Sequence, residues 1–318
     1  MNSQIKLAII AIAIVIPLAS FAVTQPSFNS EISITENSKL QIITSATFLN
    51  EFSQNIGKEM IDVTLLVPMG ADPHDWEPTI RDREKLQKAD VIIINGIGYE
   101  HWIDSFDSND NQGILVDTSN GISTLDSEKH DDHAKEDDHD GHEEEDKNNH
   151  EDLDPHIWLN PVYAQLQVKN IANALSNSDP TNKNYYQSNA AIYNKELDLL
   201  DSKIRTELYG CKTDFITFHN AFSYFSEEYG LTQHTIISSN DSHGEVTPQT
   251  LENIISLARE LNIKVIFAEE STSTKTSQVI ADEIGGKVLV LSPLEIVSDE
   301  TYVEKMTQNL NNLKDALC

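Results

Sequence analysis

Residues 182–208 read NKNYYQSNAAIYNKELDLLDSKIRTEL, a run without proline or glycine. Apolar side chains recur in it at spacings of three and four residues, which predicts one apolar face of an α-helix. The residues on that face are Tyr186, Ala190, Tyr193, Leu197, Leu200, Ile204 and Leu208. At 1.5 Å per residue such a helix is roughly 40 Å long, enough to run along two lobes. We expect it to limit relative motion of the lobes, so that local movement of loops would let a ligand enter and leave.

Short β-branched runs lie on both sides of this helix and are separated by segments of helical length. The runs are 40–45, 62–67, 91–95 and 114–117 before the helix, and 214–218, 234–237, 265–268 and 287–291 after it. Strands that alternate with helical segments indicate a parallel sheet with crossover helices. The sequence therefore predicts an α/β fold of two lobes, each with a four-stranded parallel sheet flanked by helices, bridged by one long α-helix.

The same patterns divide the chain. We predict an N-terminal lobe at 39–181, a bridging helix at 182–209 and a C-terminal lobe at 210–318. Residues 24–38 are polar and rich in turn formers, and we interpret them as a tether.

Residues 1–23 have the pattern of a targeting segment. Lys6 precedes an apolar run from 7 to 23, which contains the small residues Ser20 and Ala22. This order is typical of a secretory signal peptide. An uncleaved anchor is the alternative, because about 17 apolar residues are at the short limit for spanning a bilayer. Both interpretations place the rest of the chain outside the cytoplasm, either secreted or anchored to the outer face of the cytoplasmic membrane. No cysteine lies directly after the run, so we expect no diacylglyceryl anchor.

Charge and cysteine content narrow the possible functions. The formal net charge of −30 excludes a nucleic-acid-binding protein, which needs a basic face to neutralise phosphates. Cys211 and Cys318 are the two cysteines, and an exported protein can pair them in a disulfide. The terminal position of Cys318 leaves a free or otherwise coupled thiol open. Neither cysteine lies in a spacing typical of metal ligands.

A tract from Asp126 to Asp152 combines runs of Asp and Glu with five histidines. These histidines are His130, His133, His139, His142 and His150. The tract is too polar to offset the entropy of ordering it, so we predict a mobile loop within the N-terminal lobe. Histidine-rich acidic tracts collect metal ions weakly at several sites. A plain solvated acidic loop is the alternative.

Three further histidines lie in polar and aromatic motifs far apart in the chain. His74 lies in GADPHDWEPT (70–79), His156 in DPHIWLNP (154–161) and His219 in FHNAFSYF (218–225). His74 and His219 each follow a predicted strand, and the carboxyl ends of parallel strands are where such sheets bind ligands. His156 precedes a predicted helix that begins near Pro161, with Asn160 as its cap.

Neutral imidazole is the commonest protein ligand of zinc and similar ions. The three histidines therefore predict a metal site in the cleft between the lobes. Neighbouring Asp residues could orient each ring by accepting its second N–H.

The chain resembles the zinc/manganese-type metal solute-binding proteins of ABC importers (the zinc-uptake binding protein family, cluster A-I). Besides the three histidine motifs, the resemblance is carried by NGIGYEHW (95–102), GEVTPQTL (244–251), FAEEST (267–272) and LSPLEIVSDETYVEKMTQNL (291–310). These motifs occur in order from about residue 40 to the end of the chain. The resemblance implies two α/β lobes bridged by one helix, with the metal held between them.

The resemblance also implies His74, His156 and His219 as metal ligands. Manganese members resemble this pattern but have Glu in the third position, so His219 favours Zn²⁺ over Mn²⁺ as the bound ion. Three nitrogen donors agree with that choice, because manganese prefers oxygen ligands. The fourth ligand varies within the family. Glu295 is our candidate, while a water molecule or a carboxylate such as Glu77 remains open.

Other acidic and histidine residues are expected to have different roles. His101, His234 and His243 are interpreted as structural or exposed rather than as ligands. Glu269 and Glu270 follow a predicted strand, and we expect them to be structural or to face a permease.

The resemblance implies an extracytoplasmic zinc-binding protein that delivers metal to the membrane permease of an ABC importer with its ATPase. We expect a monomer and no enzymatic activity. Two alternatives are an extracellular metal buffer or adhesin without transport, and a zinc hydrolase. The hydrolase is disfavoured because the sequence contains no His-Glu-x-x-His pair and no Ser-His-Asp order.

Overall fold

A computed structural model describes residues 39–68, 71, 74–103, 113–125, 153–237, 246–270 and 274–318. The predicted signal and tether (1–38) and the predicted mobile loop with its five histidines (126–152) lie outside the described residues. Among the residues described, no helix is long and apolar enough to cross a membrane.

The first half of the chain forms a four-stranded parallel sheet. Its strands and the helices around it are β1 (Leu40–Thr44), α1 (Thr47–Gly57), β2 (Ile61–Leu65), α2 (Ile80–Lys88), β3 (Val91–Ile94), β4 (Ile114–Asp117) and α3 (Pro161–Ser178). The strand order is β2-β1-β3-β4, and every neighbouring pair is parallel. Pro161 begins α3 and the Asn160 side chain accepts from the Val162 N–H, as the sequence predicts for this helix start.

The second half repeats this arrangement. Its elements are β5 (Asp214–Thr217), α5 (Ser223–Tyr229), β6 (Thr232–Thr235), α6 (Pro248–Glu260), β7 (Val265–Ala268), α7 (Thr274–Ile284), β8 (Lys287–Val290) and α8 (Tyr302–Leu317). The order β6-β5-β7-β8 is again parallel throughout. The predicted α/β fold of two sheets flanked by helices is confirmed.

Strand β6 begins and ends two residues earlier than the sequence predicts. Its ladder with β5 pairs Asp214 with Thr232 and Thr217 with Thr235. The apolar residues Ile236 and Ile237, which suggested a later strand, are buried in the core of the second lobe after the ladder has ended. Their burial explains their apolar character, and their N–H groups still donate to the Thr217 and Phe218 carbonyls of the neighbouring segment.

Helix α4 (Lys183–Leu208) lies between the two halves and has 26 residues. The seven side chains of its predicted apolar face are all buried, in one core cluster that also contains residues of both sheets, such as Ile93 and Phe267. The helix contacts α1, α3 and α8. Because one core includes α4 and both sheets, the helix holds the two lobes together, as the predicted bridge requires. The lobe boundaries at 181 and 210 stay a prediction.

The two cysteines form a disulfide, which resolves the alternatives left open by the sequence. Cys211 follows α4, Cys318 ends the chain, and their Cα atoms are 4.7 Å apart. The Lys212 N–H donates to the Leu317 carbonyl at 3.0 Å beside this bond. The crosslink therefore ties the end of the bridging helix to the end of α8.

Replacing Cys211 and Cys318 together by serine should lower the free energy of unfolding of the zinc-free protein by about 4–5 kcal/mol. This is the chain entropy expected when a closed loop of about 100 residues is opened, and the crosslink spans a sequence separation of 107. Urea unfolding measures the difference. The parent protein under reducing conditions is the control and should match the double variant. An unchanged unfolding midpoint would contradict this role.

Candidate metal centre

Four polar side chains come from separate segments and meet in the interior. His74 follows β2, His156 precedes the 3₁₀ turn Ile157–Leu159, His219 follows β5 and Glu295 follows β8. All four are buried, and each offers a ligand atom within 4.8 Å of the other three. The carboxyl edges of both sheets thus supply ligand atoms to one point, as parallel sheets commonly do.

The ligand atoms converge closely. Nε2 of His74 lies 2.9 Å from Oε1 of Glu295, and Nε2 of His156 lies 3.4 Å from the same oxygen. Nε2 of His156 and Nε2 of His219 are also 3.4 Å apart. A tetrahedral ion with metal–nitrogen bonds of about 2.0–2.1 Å would separate its ligand atoms by about 3.3–3.4 Å. Two of these three separations therefore match the edge of a small tetrahedral shell such as that of zinc.

Asp154 orients the ring of His156. Oδ1 of Asp154 lies 2.7 Å from Nδ1 of His156 and also accepts from the His156 backbone N–H at 2.9 Å. Both side chains are fully buried. The contact favours a proton on Nδ1 and leaves Nε2 available to a metal, which is the usual arrangement of a metal-bound histidine. The predicted role of a neighbouring Asp is thus supported at His156, whereas Asp72 lies outside the described residues.

Glu269 occupies the equivalent place at His219. Its Oε1 lies 2.7 Å from Nδ1 of His219 and accepts from the His219 backbone N–H at 3.0 Å. Glu269 comes from the residue after β7, the strand next to β5. The sequence predicts only a structural or permease-facing role for Glu269. The available signal was its position directly after a buried strand.

Two aromatic rings lie next to the histidines of the cluster. The ring of His74 meets Tyr99 edge-on with centroids 5.2 Å apart, and the ring of His156 lies 5.1 Å from Trp158. Apolar walls lower the local dielectric constant and strengthen each electrostatic interaction inside.

The pKa values reflect this concentration of charge. Burial alone would lower the pKa of His156, but the carboxylates of Asp154 and Glu295 outweigh it and raise the pKa to about 9. The pKa of His219 is also raised. Burial alone would lower this pKa, but the carboxylates of Glu269 and Glu295 outweigh burial. Burial alone would raise the pKa of Glu295. The positive charge of His74 and the hydrogen bond between Glu295 and His156 instead hold the pKa of Glu295 well below its usual range. In the metal-free protein a proton therefore supplies the positive charge that the site attracts.

The motif at 95–102 connects the strand ends beside the site through hydrogen bonds. Glu100 accepts from the Ser45 hydroxyl at 2.5 Å, the Asn95 N–H at 2.7 Å and the Gly96 N–H at 3.0 Å, so it joins the ends of β1 and β3. Burial raises its pKa to about 7 against these three hydrogen bonds. Asn95 in turn donates to the Pro155 carbonyl at 2.9 Å, next to His156. The sequence contains this motif but indicates no role for Glu100.

The other candidates of the sequence lie elsewhere. Glu77 and His101 are exposed and are not members of the cluster. His234 lies within β6 and its Nε2 is 2.9 Å from Oδ1 of Asp214 on the neighbouring strand, which agrees with a structural role. His243 lies outside the described residues. Oε1 of Glu270 is 3.3 Å from Nζ of Lys305. Glu270 also accepts from the hydroxyl of Ser292, which lies three residues before Glu295 in the chain.

Comparison with known proteins agrees with the fold. The family model described as zinc-uptake complex component A, periplasmic, matches residues 42–316. The chain is 38% identical over 288 residues to the high-affinity zinc uptake system protein ZnuA of Bacillus subtilis, covering 88% of each chain.

Two solved structures extend the similarity to three dimensions. The metal-dependent lipoprotein YcdH of Bacillus subtilis has a TM-score of 0.73 and 36% identity, covering 88% of this chain and 99% of that one. A crystal structure of ZnuA has a TM-score of 0.75 and 31% identity, covering 88% of this chain and 100% of that one.

Replacing His74, His156 or His219 by alanine should weaken zinc binding by more than about 100-fold. The reason is that losing even a residue that merely orients a ligand typically weakens binding 10–100-fold. The measurement is competition with a chromophoric zinc chelator. His234→Ala removes an imidazole outside the cluster and is the matched control. Parent-like affinity in all three variants would show that the ligands lie elsewhere.

Zinc affinity should fall as the pH is lowered. Because the pKa of His156 is raised to about 9, zinc must displace a proton from that ring at neutral pH. The apparent association constant should therefore drop about tenfold per pH unit between pH 8 and 6.5 for one displaced proton. Calorimetry in buffers of different ionisation enthalpy counts the released protons. An affinity that is constant across this range, with no proton release, would contradict the assignment.

Proposed function

Since the chain belongs to the family of zinc-uptake complex component A proteins, we propose that it binds zinc outside the cytoplasm and delivers it to an ABC-type importer. The bound zinc ion is the cargo of the protein. The observation that carries the proposal is the buried convergence of three imidazole nitrogens and one carboxylate oxygen on a single point.

We propose His74, His156, His219 and Glu295 as the four zinc ligands. Asp154 and Glu269 support the choice, because each directs Nε2 of its histidine toward the common point. The proximity of the Glu295 carboxylate to His74 and His156 favours it over Glu77, which is exposed.

Zinc is favoured over manganese by the donor set and by its spacing. Three nitrogens and one oxygen suit zinc, whereas manganese prefers carboxylate, carbonyl and water oxygens in octahedral geometry. The 3.4 Å separations within the cluster match the edge of a zinc tetrahedron.

A zinc hydrolase is disfavoured by the same donor set. Catalytic zinc sites keep one coordination position open for water, whereas sites with four protein ligands are closed. With Glu295 as the proposed fourth ligand, no coordination position would be left for water. We therefore propose a binding protein without enzymatic activity. The second alternative, an extracellular buffer or adhesin, has no observation in its favour among the described residues.

The partners and location follow from the proposed function. The cargo would pass to the membrane permease of the importer, which works with its ATPase, and the protein would act as a monomer. The apolar segment at 1–23 supports secretion or anchoring at the outer face of the cytoplasmic membrane.

The tract at 126–152 is proposed to collect additional zinc weakly. Its histidines and carboxylates support this, and the described chain brings its flanks together, because the Asp154 N–H donates to the Leu125 carbonyl at 3.0 Å.

The proposal predicts one tight zinc site whose loading raises the melting temperature, because zinc binds only the folded arrangement. Titration of metal-free protein with zinc and with manganese, followed by calorimetry and thermal unfolding, measures this. We expect a clear preference for zinc at one tight site, with further weak binding that disappears when 126–152 is deleted. Tighter binding of manganese than of zinc would overturn the choice of cargo. Loss of the tight site on deletion would show that the tract supplies a ligand.

Transport is tested in the organism's own cells. Deleting the gene should slow growth in zinc-depleted medium, and the parent gene should restore it, while a His156→Ala gene should not. Unchanged zinc uptake in the deletion strain would favour the buffer or adhesin alternative.

A further inference from the structure

We propose that Thr47 and Trp158 are positioning residues for Glu295. Their hydrogen bonds hold the segment before Glu295 against the N-terminal lobe, in the conformation that brings its carboxylate to the three histidines. This inference rests on the proposed zinc site, and it names the contacts that control the fourth ligand.

Two successive carbonyls directly before Glu295 accept hydrogen bonds from the other lobe. The Thr47 hydroxyl donates to the Leu294 carbonyl at 2.9 Å, and the Trp158 indole N–H donates to the Pro293 carbonyl at 2.8 Å. Thr47 begins α1 and Trp158 lies in the 3₁₀ turn after His156. Because the Leu294 carbonyl belongs to the peptide unit that also contains the Glu295 nitrogen, the Thr47 bond fixes the backbone at Glu295 itself.

The segment has a backbone conformation that needs such support. Leu294 has a φ of 63° although it is not glycine. Residues with a side chain rarely adopt this left-handed region, and they keep it only where surrounding contacts hold them there. The Leu294 side chain is buried, and its N–H donates to the Ser292 hydroxyl at 3.2 Å.

The two donors are themselves held firmly. The Trp158 ring stacks on Phe48 with centroids 4.3 Å apart, and the Trp158 carbonyl accepts from the Tyr302 hydroxyl at 2.6 Å. The Tyr302 N–H donates to Glu51 on α1 at 2.7 Å, so the chain is tied to the N-terminal lobe on both sides of Glu295. Thr47 and Trp158 therefore form a rigid surface against which the segment docks.

The position of Glu295 is controlled differently from that of His156 and His219. His156 and His219 are each held by a carboxylate that contacts both the ring and the backbone N–H of the same histidine. The carboxylate of Glu295 instead contacts ligand histidines, so the backbone of its segment sets its position. The release of Glu295 therefore depends on contacts between the lobes.

Loss of either hydrogen bond should lower the fraction of molecules in which Glu295 reaches the site. The apparent zinc affinity falls in proportion to that fraction. Thr47→Val keeps the shape of the side chain but removes the donor, and Trp158→Phe keeps an aromatic ring without the indole N–H. We expect each to weaken zinc binding and to speed zinc dissociation by about three- to tenfold, the range for one buried hydrogen bond.

Two control variants separate positioning from general stability. Thr47→Ser retains the hydroxyl and should bind zinc like the parent. Ser53→Ala removes another buried hydroxyl of α1, which donates to the Leu49 carbonyl at 2.7 Å within the helix. Because this hydroxyl bonds within its own helix, Ser53→Ala should leave zinc dissociation unchanged.

The deciding measurement is a double-mutant cycle of Thr47→Val with Glu295→Ala, read out by the zinc affinity and the stopped-flow dissociation rate. If Thr47 acts through Glu295, its substitution should have no further effect once the carboxylate is gone. An undiminished effect of Thr47→Val in the Glu295→Ala background, or parent-like dissociation of Thr47→Val alone, would overturn the inference and leave the zinc site intact. Parent-like zinc binding by Glu295→Ala alone would instead overturn the assignment of the fourth ligand.

Discussion

The site depends on one electrostatic requirement: the ligand atoms that are buried together need a positive charge among them. Three imidazole nitrogens and a carboxylate oxygen lie within 4.8 Å of one another. Such an arrangement is unfavourable unless positive charge lies among them, because buried charges need partners. The raised pKa of His156 shows a proton supplying that charge when metal is absent. Zinc competes for the same place, which couples its binding to proton release and to stability of the folded chain.

The fold keeps this arrangement from relaxing. The two parallel sheets face the site with their carboxyl edges, and α4 joins both lobes through one continuous core. A helix of 26 residues without an internal glycine or proline offers no hinge. We therefore expect the lobes to present their ligands at a nearly fixed separation. Movement is left to short segments, and the cross-lobe hydrogen bonds near Glu295 make that segment the natural point of control.

Much of this could be predicted from the sequence, and the exceptions share a physical cause. Helix α4 and the strands have strong local periodicity, and the three histidines have recognisable places at strand ends or before a helix. The sequence offers Glu295 only as one candidate for the fourth ligand, because the position of Glu295 depends on the left-handed Leu294 and on donors about 140 and 250 residues earlier in the chain. The roles of Glu269 and Glu100 depend on contacts between neighbouring strands, which one sequence does not reveal. The shift of β6 has a similar origin, since apolar residues can be buried beyond the end of a ladder.

X-ray absorption at the zinc edge of the loaded protein, with one equivalent of zinc, tests the central claim most directly. The account predicts a four-coordinate shell of three imidazole nitrogens and one oxygen, with distances near 2.0–2.1 Å, and loss of one imidazole in His219→Ala. A shell with six oxygens, or a three-imidazole shell that persists in His219→Ala, would contradict the account.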